Sequence, residues 1–156
     1  MIGLQIPGFG DIDLKHLVLD YNGTLALDGT LMLGAGEALR LLAGKMEIHV
    51  ITADTFALAR KHLSGLPLSL TILPETSQAE AKLEYIRQLG AQSVVAIGNG
   101  RNDREMLRAA AIGIFLFQKE GGSVDALKSA DIISVNLLDA LGLLSHPQRL
   151  VATLRS

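Results

Sequence analysis

At 156 residues with a formal net charge of −2, the chain has the length of one domain and lacks the basic surplus that binding a nucleic-acid backbone requires. It has no cysteine, which excludes disulfides, thiolate metal sites and thiol catalysis. Hydrophobic residues make up 49% of it, but the apolar runs are broken by glycine or charge well short of the roughly 18 residues a membrane span needs.

In chain order, the apolar run at 2–6 predicts an edge strand ending at Pro7, and the run at 16–19 a short strand that stops at Asp20. Residues 25–33 read as a hairpin turning at Asp28-Gly29. A helix over 35–43, closed by Gly44, leads to a strand at 47–51. A helix over 56–63, stopped by Ser64-Gly65, leads to a strand at 70–73. An amphipathic helix over 79–89, capped by Gly90, precedes a strand at 93–97 and a helix over 103–110. Strands at 112–117 and 131–135 and a C-terminal helical region complete the series. Such alternation predicts an α/β fold: a Rossmann-like, doubly wound, mainly parallel sheet with helices on both faces, formed by one domain over residues 1–156. The opening MIGLQIPGFG has no signal-peptide pattern, so the cytoplasm is the expected location.

Three polar clusters, Asp20-Tyr21-Asn22, Thr52-Ala53-Asp54 and 99–103, each follow directly on an apolar strand. Ligands of open parallel sheets bind outside the carboxyl ends of the strands, so these clusters converge on one expected site. Each also has a plainer reading. D-Y-N-G-T is turn-forming in its own right. Asp54 or Thr55 would cap the helix beginning near Phe56, and Asp103 the helix that follows it. Lys82, early in its helix, reads by itself more readily as a solvated lysine on a polar helix face. The run GNGRND departs from a dinucleotide loop because Asp103 stands at its last position, where a carboxylate repels pyrophosphate. Beside another aspartate, its Asp and Asn oxygens instead describe a Mg²⁺ site.

Taken in order, the segments LVLDYNGTL, VITADT, AKLEYIRQLG and VVAIGNGRNDREML resemble the signature of the haloacid-dehalogenase (HAD) superfamily. The nearest likeness is to the phosphorylation domain of P-type ATPases and to the capless, soluble P-type ATPase-like proteins. Asp20 to Thr24 looks like D-K-T-G-T, Thr52 to Asp54 like T-G-D, Lys82 like the lysine of D-K-x-x-x-V-x-x-L, and Gly98 to Asp103 like G-D-G-x-N-D. The resemblance implies covalent catalysis by Asp20 through an aspartyl-phosphate. It implies Mg²⁺ held by Asp20, the Asn22 carbonyl, Asn99 and Asp103. It also implies a transferring phosphoryl group bound by Thr52, Ala53, Lys82 and Asn102.

Two residues depart from that pattern. Asn22 stands where phosphatases of the superfamily carry the aspartate that protonates the leaving group and activates water. General acid–base catalysis is typically worth about 10²–10⁴-fold, so a slow enzyme is expected, favouring leaving groups that need no proton. Asn99 stands where the family has a metal-contacting aspartate. The expected substrate is a phosphorylated small molecule or a phosphoprotein, and neither nucleic acid nor membrane is an expected partner. No large cap fits between the motifs, which leaves the 25–33 hairpin as a flap or a second copy of the chain as a lid. The alternative is a regulatory or binding module on the same fold. A receiver-like signalling domain lacks its acidic pair, because Asp11 and Asp13 are poorly spaced for it. His16, His49, His62 and His146 show no metal-ligand spacing along the sequence.

Overall fold

The computed structural model describes residues 1–53 and 57–156. Asp54 and Thr55, expected as helix caps, and Phe56, expected to begin that helix, lie outside the described residues.

Six strands form the central sheet: β3 (His16–Asp20), β6 (Glu47–Thr52), β7 (Ser69–Ile72), β8 (Val94–Gly98), β9 (Ile112–Leu116) and β10 (Ile132–Ser134). Their order is β10-β9-β8-β3-β6-β7, and every pairing is parallel. These runs become strands because both of their faces are covered, which parallel sheets require and which rewards continuous apolar sequence. Leu17 and Leu19 of β3 pack with α1 (Ala35–Ala43) and α6 (Leu137–Ser145) on one face. Val18, between them, packs with α3 (Gln78–Leu89) and α4 (Arg104–Ala109) on the other. The period of two thus splits one core into two layers. α2 (Leu58–Leu63) and α7 (Gln148–Leu154) lie with the first layer, and α5 (Val124–Leu127) with the second.

From β3 the chain builds outward to β6 and β7 on one side and to β8, β9 and β10 on the other. The order therefore reverses between β3 and β8, and the crevice above their carboxyl ends is the expected ligand site of a doubly wound sheet.

Two expectations need correction. The strand β1 (Ile2–Ile6) does not edge the main sheet. It pairs antiparallel with β2 (Gly10–Leu14) in a separate ribbon, from Ile2 opposite Leu14 to Ile6 opposite Gly10. β1 buries Ile2, Leu4 and Ile6 in strict alternation, whereas β2 (GDIDL) fully buries only Leu14 and so carries little apolar signal. The 25–33 hairpin is shorter than expected, with β4 (Ala26–Leu27) paired to β5 (Thr30–Leu31). Its turn is as expected: Asp28 (φ 50°) and Gly29 (φ 80°) both adopt the left-handed conformation that a two-residue type I′ turn demands.

Candidate active site

β3 carries Asp20 to its carboxyl end, where the residue is 7% exposed. Lys82, one turn into α3, is fully buried beneath it. Its Nζ donates to Asp20 Oδ1 at 2.9 Å and to Asp103 Oδ1 at 2.6 Å. The other oxygen of Asp103 accepts from the backbone N–H groups of Asn99 (3.0 Å) and Gly100 (2.8 Å). Asp103 thus ties the loop after β8 to the lysine. A Cβ at Gly98 would lie 2.5 Å from Asp103 Oδ2, so the strand must end in glycine for this carboxylate to fit.

Two buried carboxylates share one ammonium, so the triad carries one uncompensated negative charge. Burial, followed by the charge of Asp103, raises the Asp20 pKa from 3.8 to about 6, against the opposing pull of Lys82. For Lys82, burial works against the charged form, but the two carboxylates outweigh it and hold the pKa above its ordinary value.

Above the triad is a cleft of about 300 Å³ lined by Asp20, Asn22, Thr52, Ala53, Asn99 and Asn102, with Gln78 and Gly100. Size alone does not mark this site, because a groove of about 690 Å³ lies at the opposite end of the sheet, away from Asp20. Asn99 donates its amide N–H to Gly121 O (3.0 Å), which leaves its amide oxygen as the atom offered to a ligand. Gly23, at φ 75°, packs directly on that amide; a Cβ there would sit 2.4 Å from Asn99 Nδ2. Asn102 Nδ2 donates to Gln78 Oε1 at 2.6 Å.

All six cleft residues expected from sequence therefore surround one space, with Lys82 beneath. The solvated reading of Lys82 is overturned by its burial between the two aspartates. Asp103 makes no capping hydrogen bond to α4. Nor does it line the cleft: it is fully buried behind it, its oxygens occupied by Lys82 and two N–H groups. Asp103, expected as a metal ligand, therefore meets Lys82 and the loop after β8 and does not line the cleft. Sequence reasoning missed Gln78, although its i, i+4 spacing from Lys82 puts both on one face of α3. It also missed the anchors of the hairpin. Gln118 Nε2 donates to Gly23 O (3.1 Å) and Thr24 O (3.2 Å), Asp28 N donates to Glu120 Oε1 (3.0 Å), and Tyr21 Oη donates to Gly29 O (3.0 Å).

The donor set fits a hard divalent cation. The cleft offers carboxylate and amide oxygens and no thiol or imidazole among its lining residues, and the triad below it carries surplus negative charge.

No family model matches the chain. The uncharacterized protein MJ0073 of Methanocaldococcus jannaschii is 37% identical over 83 residues, 51% of this chain and 89% of that protein. The phospholipid-transporting ATPase tat-1 of Caenorhabditis elegans is 32% identical over 85 residues, 52% of this chain. The phosphoserine phosphatase of Idiomarina loihiensis is 29% identical over 109 residues, 66% of this chain. The chain spans only 7% and 46% of the lengths of these last two proteins. Among solved structures, a protein of Legionella pneumophila assigned to HAD subfamily III A superposes with a TM-score of 0.72 at 17% identity, covering 90% of this chain and 86% of that one. The 3-deoxy-D-manno-octulosonate 8-phosphate phosphatase of Moraxella catarrhalis, solved with magnesium, phosphate and KDO, superposes at 0.71 with 18% identity, covering 90% and 92%. The fold is therefore that of the HAD hydrolases without a large cap. The chain belongs to one family with MJ0073, and it shares its fold with the HAD hydrolases among the solved structures.

Proposed function

We propose that the chain is a Mg²⁺-dependent phosphohydrolase or phosphotransferase that works through an aspartyl-phosphate on Asp20. The observation that carries this reading is the convergence of Asp20, Thr52, Lys82 and the loop after β8 at the topological switch point. Lys82 holds Asp20 Oδ1, which fixes the carboxylate and leaves Oδ2 to attack. A bond forms from Asp20 to phosphorus, the bond to the leaving oxygen breaks, and the leaving group departs with its electron pair. Thr52, the Ala53 N–H and Asn102 hold the phosphoryl oxygens, while Lys82 offsets their charge from below. Water then attacks phosphorus, breaking the bond to Asp20 and releasing phosphate. Asn22 can orient either partner of these steps but can neither give nor take the proton. Aryl and acyl phosphates are therefore better substrates than alkyl esters. Asp20, Asn99 and the Asn22 carbonyl would hold Mg²⁺, which supplies charge neutralisation for nucleophile and phosphate.

The uncapped cleft suits a phosphorylated small molecule or phosphoprotein, with a second copy of the chain as a lid for the former. Phosphate release from p-nitrophenyl phosphate, for wild type and Asp20→Asn with and without Mg²⁺, tests the reading. Turnover that needs both Mg²⁺ and Asp20 supports it. Folded protein with no turnover above the variant overturns it in favour of a binding module, the reading that Asn22 and the Gly121-bonded Asn99 favour.

A further inference from the structure

At the amino ends of β3 and β6, away from the cleft, the strand register gathers three residues far apart in sequence. His16 lies directly opposite Glu47, and His49 follows Glu47 by two residues on the same face of β6. His16 Nδ1 is 3.2 Å from His49 Nε2 and 3.3 Å from Glu47 Oε2, and the last two atoms are 3.9 Å apart. We propose that His16 Nδ1, Glu47 Oε2 and His49 Nε2 form a binding site for a divalent transition metal of the zinc class.

Geometry and chemistry both support this. A point equidistant from three atoms at those separations lies about 2.0 Å from each, the length of a zinc–imidazole or zinc–carboxylate bond. Hydrogen bonding serves the cluster poorly. The single Nδ1 of His16 faces two heteroatoms, and one proton there satisfies only one of them. A cation at the common point satisfies all three. His49 is buried and has the outer partner that a metal-bound imidazole uses: its Nδ1 lies 3.0 Å from Tyr85 Oη, itself 3.4 Å from Thr71 Oγ1. With Nδ1–H donated to Tyr85, Nε2 presents its lone pair to the metal. The Glu47 side chain is 75% exposed, and the 690 Å³ groove reaches both His16 and Glu47, so an ion has a path in. Two imidazoles and one carboxylate leave a fourth, open position for water or an added ligand. Such a site clips β3 to β6 at the end opposite Asp20. That places it roughly 13 Å along β3 from the cleft, at 3.3 Å per residue.

The test is a calorimetric titration of the full chain with ZnCl₂ in excess Mg²⁺, which occupies hard-oxygen sites, alongside Co²⁺ absorption spectra. Wild type should bind one ion, with the visible band intensity of a four-coordinate site. Glu47→Gln alters an exposed side chain and His16→Gln a largely buried one, and each should weaken binding at least tenfold. Tyr85→Phe should weaken it about 10-fold or more through His49. Asp20→Asn should leave it unchanged. Absence of binding, or binding insensitive to Glu47→Gln and His16→Gln, overturns the proposal. Loss of binding in Asp20→Asn also overturns it, because the ion would then sit in the cleft.

Discussion

Replacing Lys82 with Met keeps most of the side-chain volume and removes the only cation that Asp20 and Asp103 share among the described residues. Two buried carboxylates then face each other without a counter-charge. Removing one partner of a buried pair typically costs about 3–5 kcal/mol. At about 2–4 °C per kcal/mol for a chain of this size, that is a fall of roughly 6–20 °C in Tm. The loss has a defined pH dependence. Loss of the lysine takes away a group that lowers the Asp20 pKa, so the pKa rises above the value of about 6 that it has with Lys82 present. A carboxylate whose folded pKa exceeds its unfolded one adds stability when protonated and loses it as pH rises through the folded value. Lys82→Met should therefore lie closer to wild type at pH 5 than at pH 8, and adding Asp103→Asn should recover part of the deficit. Thermal melts of the wild type and both variants at the two pH values measure this. A deficit below about 1 kcal/mol, in the range of an exposed pair, or one equal at both pH values, would refute the buried-triad reasoning.

Other consequences follow from the same geometry. Gly98→Ala pushes a methyl into Asp103 Oδ2 and should lower stability by about 1–3 kcal/mol, together with most phosphatase activity, seen by melting and p-nitrophenyl phosphate turnover. Thr24 Oγ1 is buried with no hydrogen-bond partner among the described residues, so Thr24→Val should leave Tm unchanged or raise it; a drop worth more than about 1 kcal/mol contradicts that reading. Asn22→Asp supplies the missing proton donor and should raise alkyl phosphate turnover by about 10²–10⁴-fold, with a smaller gain for p-nitrophenyl phosphate. As the proposed nucleophile, Asp20 would have to be ionised to attack, so kcat/KM at limiting Mg²⁺ should rise with pH through about 6 and then level off; a flat profile from pH 5 to 8 contradicts Asp20 as the nucleophile.

Much of the cleft was legible because an apolar strand that stops abruptly announces where its polar end residue lies. Asp20, Thr52 and Asn99 follow from that rule alone, and the convergence of three such ends follows from parallel topology. The burial of Asp103 was not legible for a local reason. An aspartate in such a loop before a helix reads from sequence as a cap or a metal ligand, and only tertiary packing brings Lys82 under it. β2 was missed because its one fully buried side chain, Leu14, sets up no alternation. The His16, Glu47 and His49 cluster was invisible for a different reason. Metal-ligand spacing is read along the chain, whereas this cluster arises across it, from the pairing of β3 with β6. Register between strands that are distant in sequence is set by the assembled core.

Trapping the phosphoenzyme tests the role of Asp20 most directly. The protein is incubated with acetyl phosphate and Mg²⁺, quenched in acid, digested and analysed by mass spectrometry with and without hydroxylamine. Expected is a phosphoryl group on the peptide that contains Asp20, removed by hydroxylamine and absent from Asp20→Asn. Turnover of the substrate with no phosphoryl group on Asp20, or with one on another residue that persists in Asp20→Asn, would contradict the proposed mechanism.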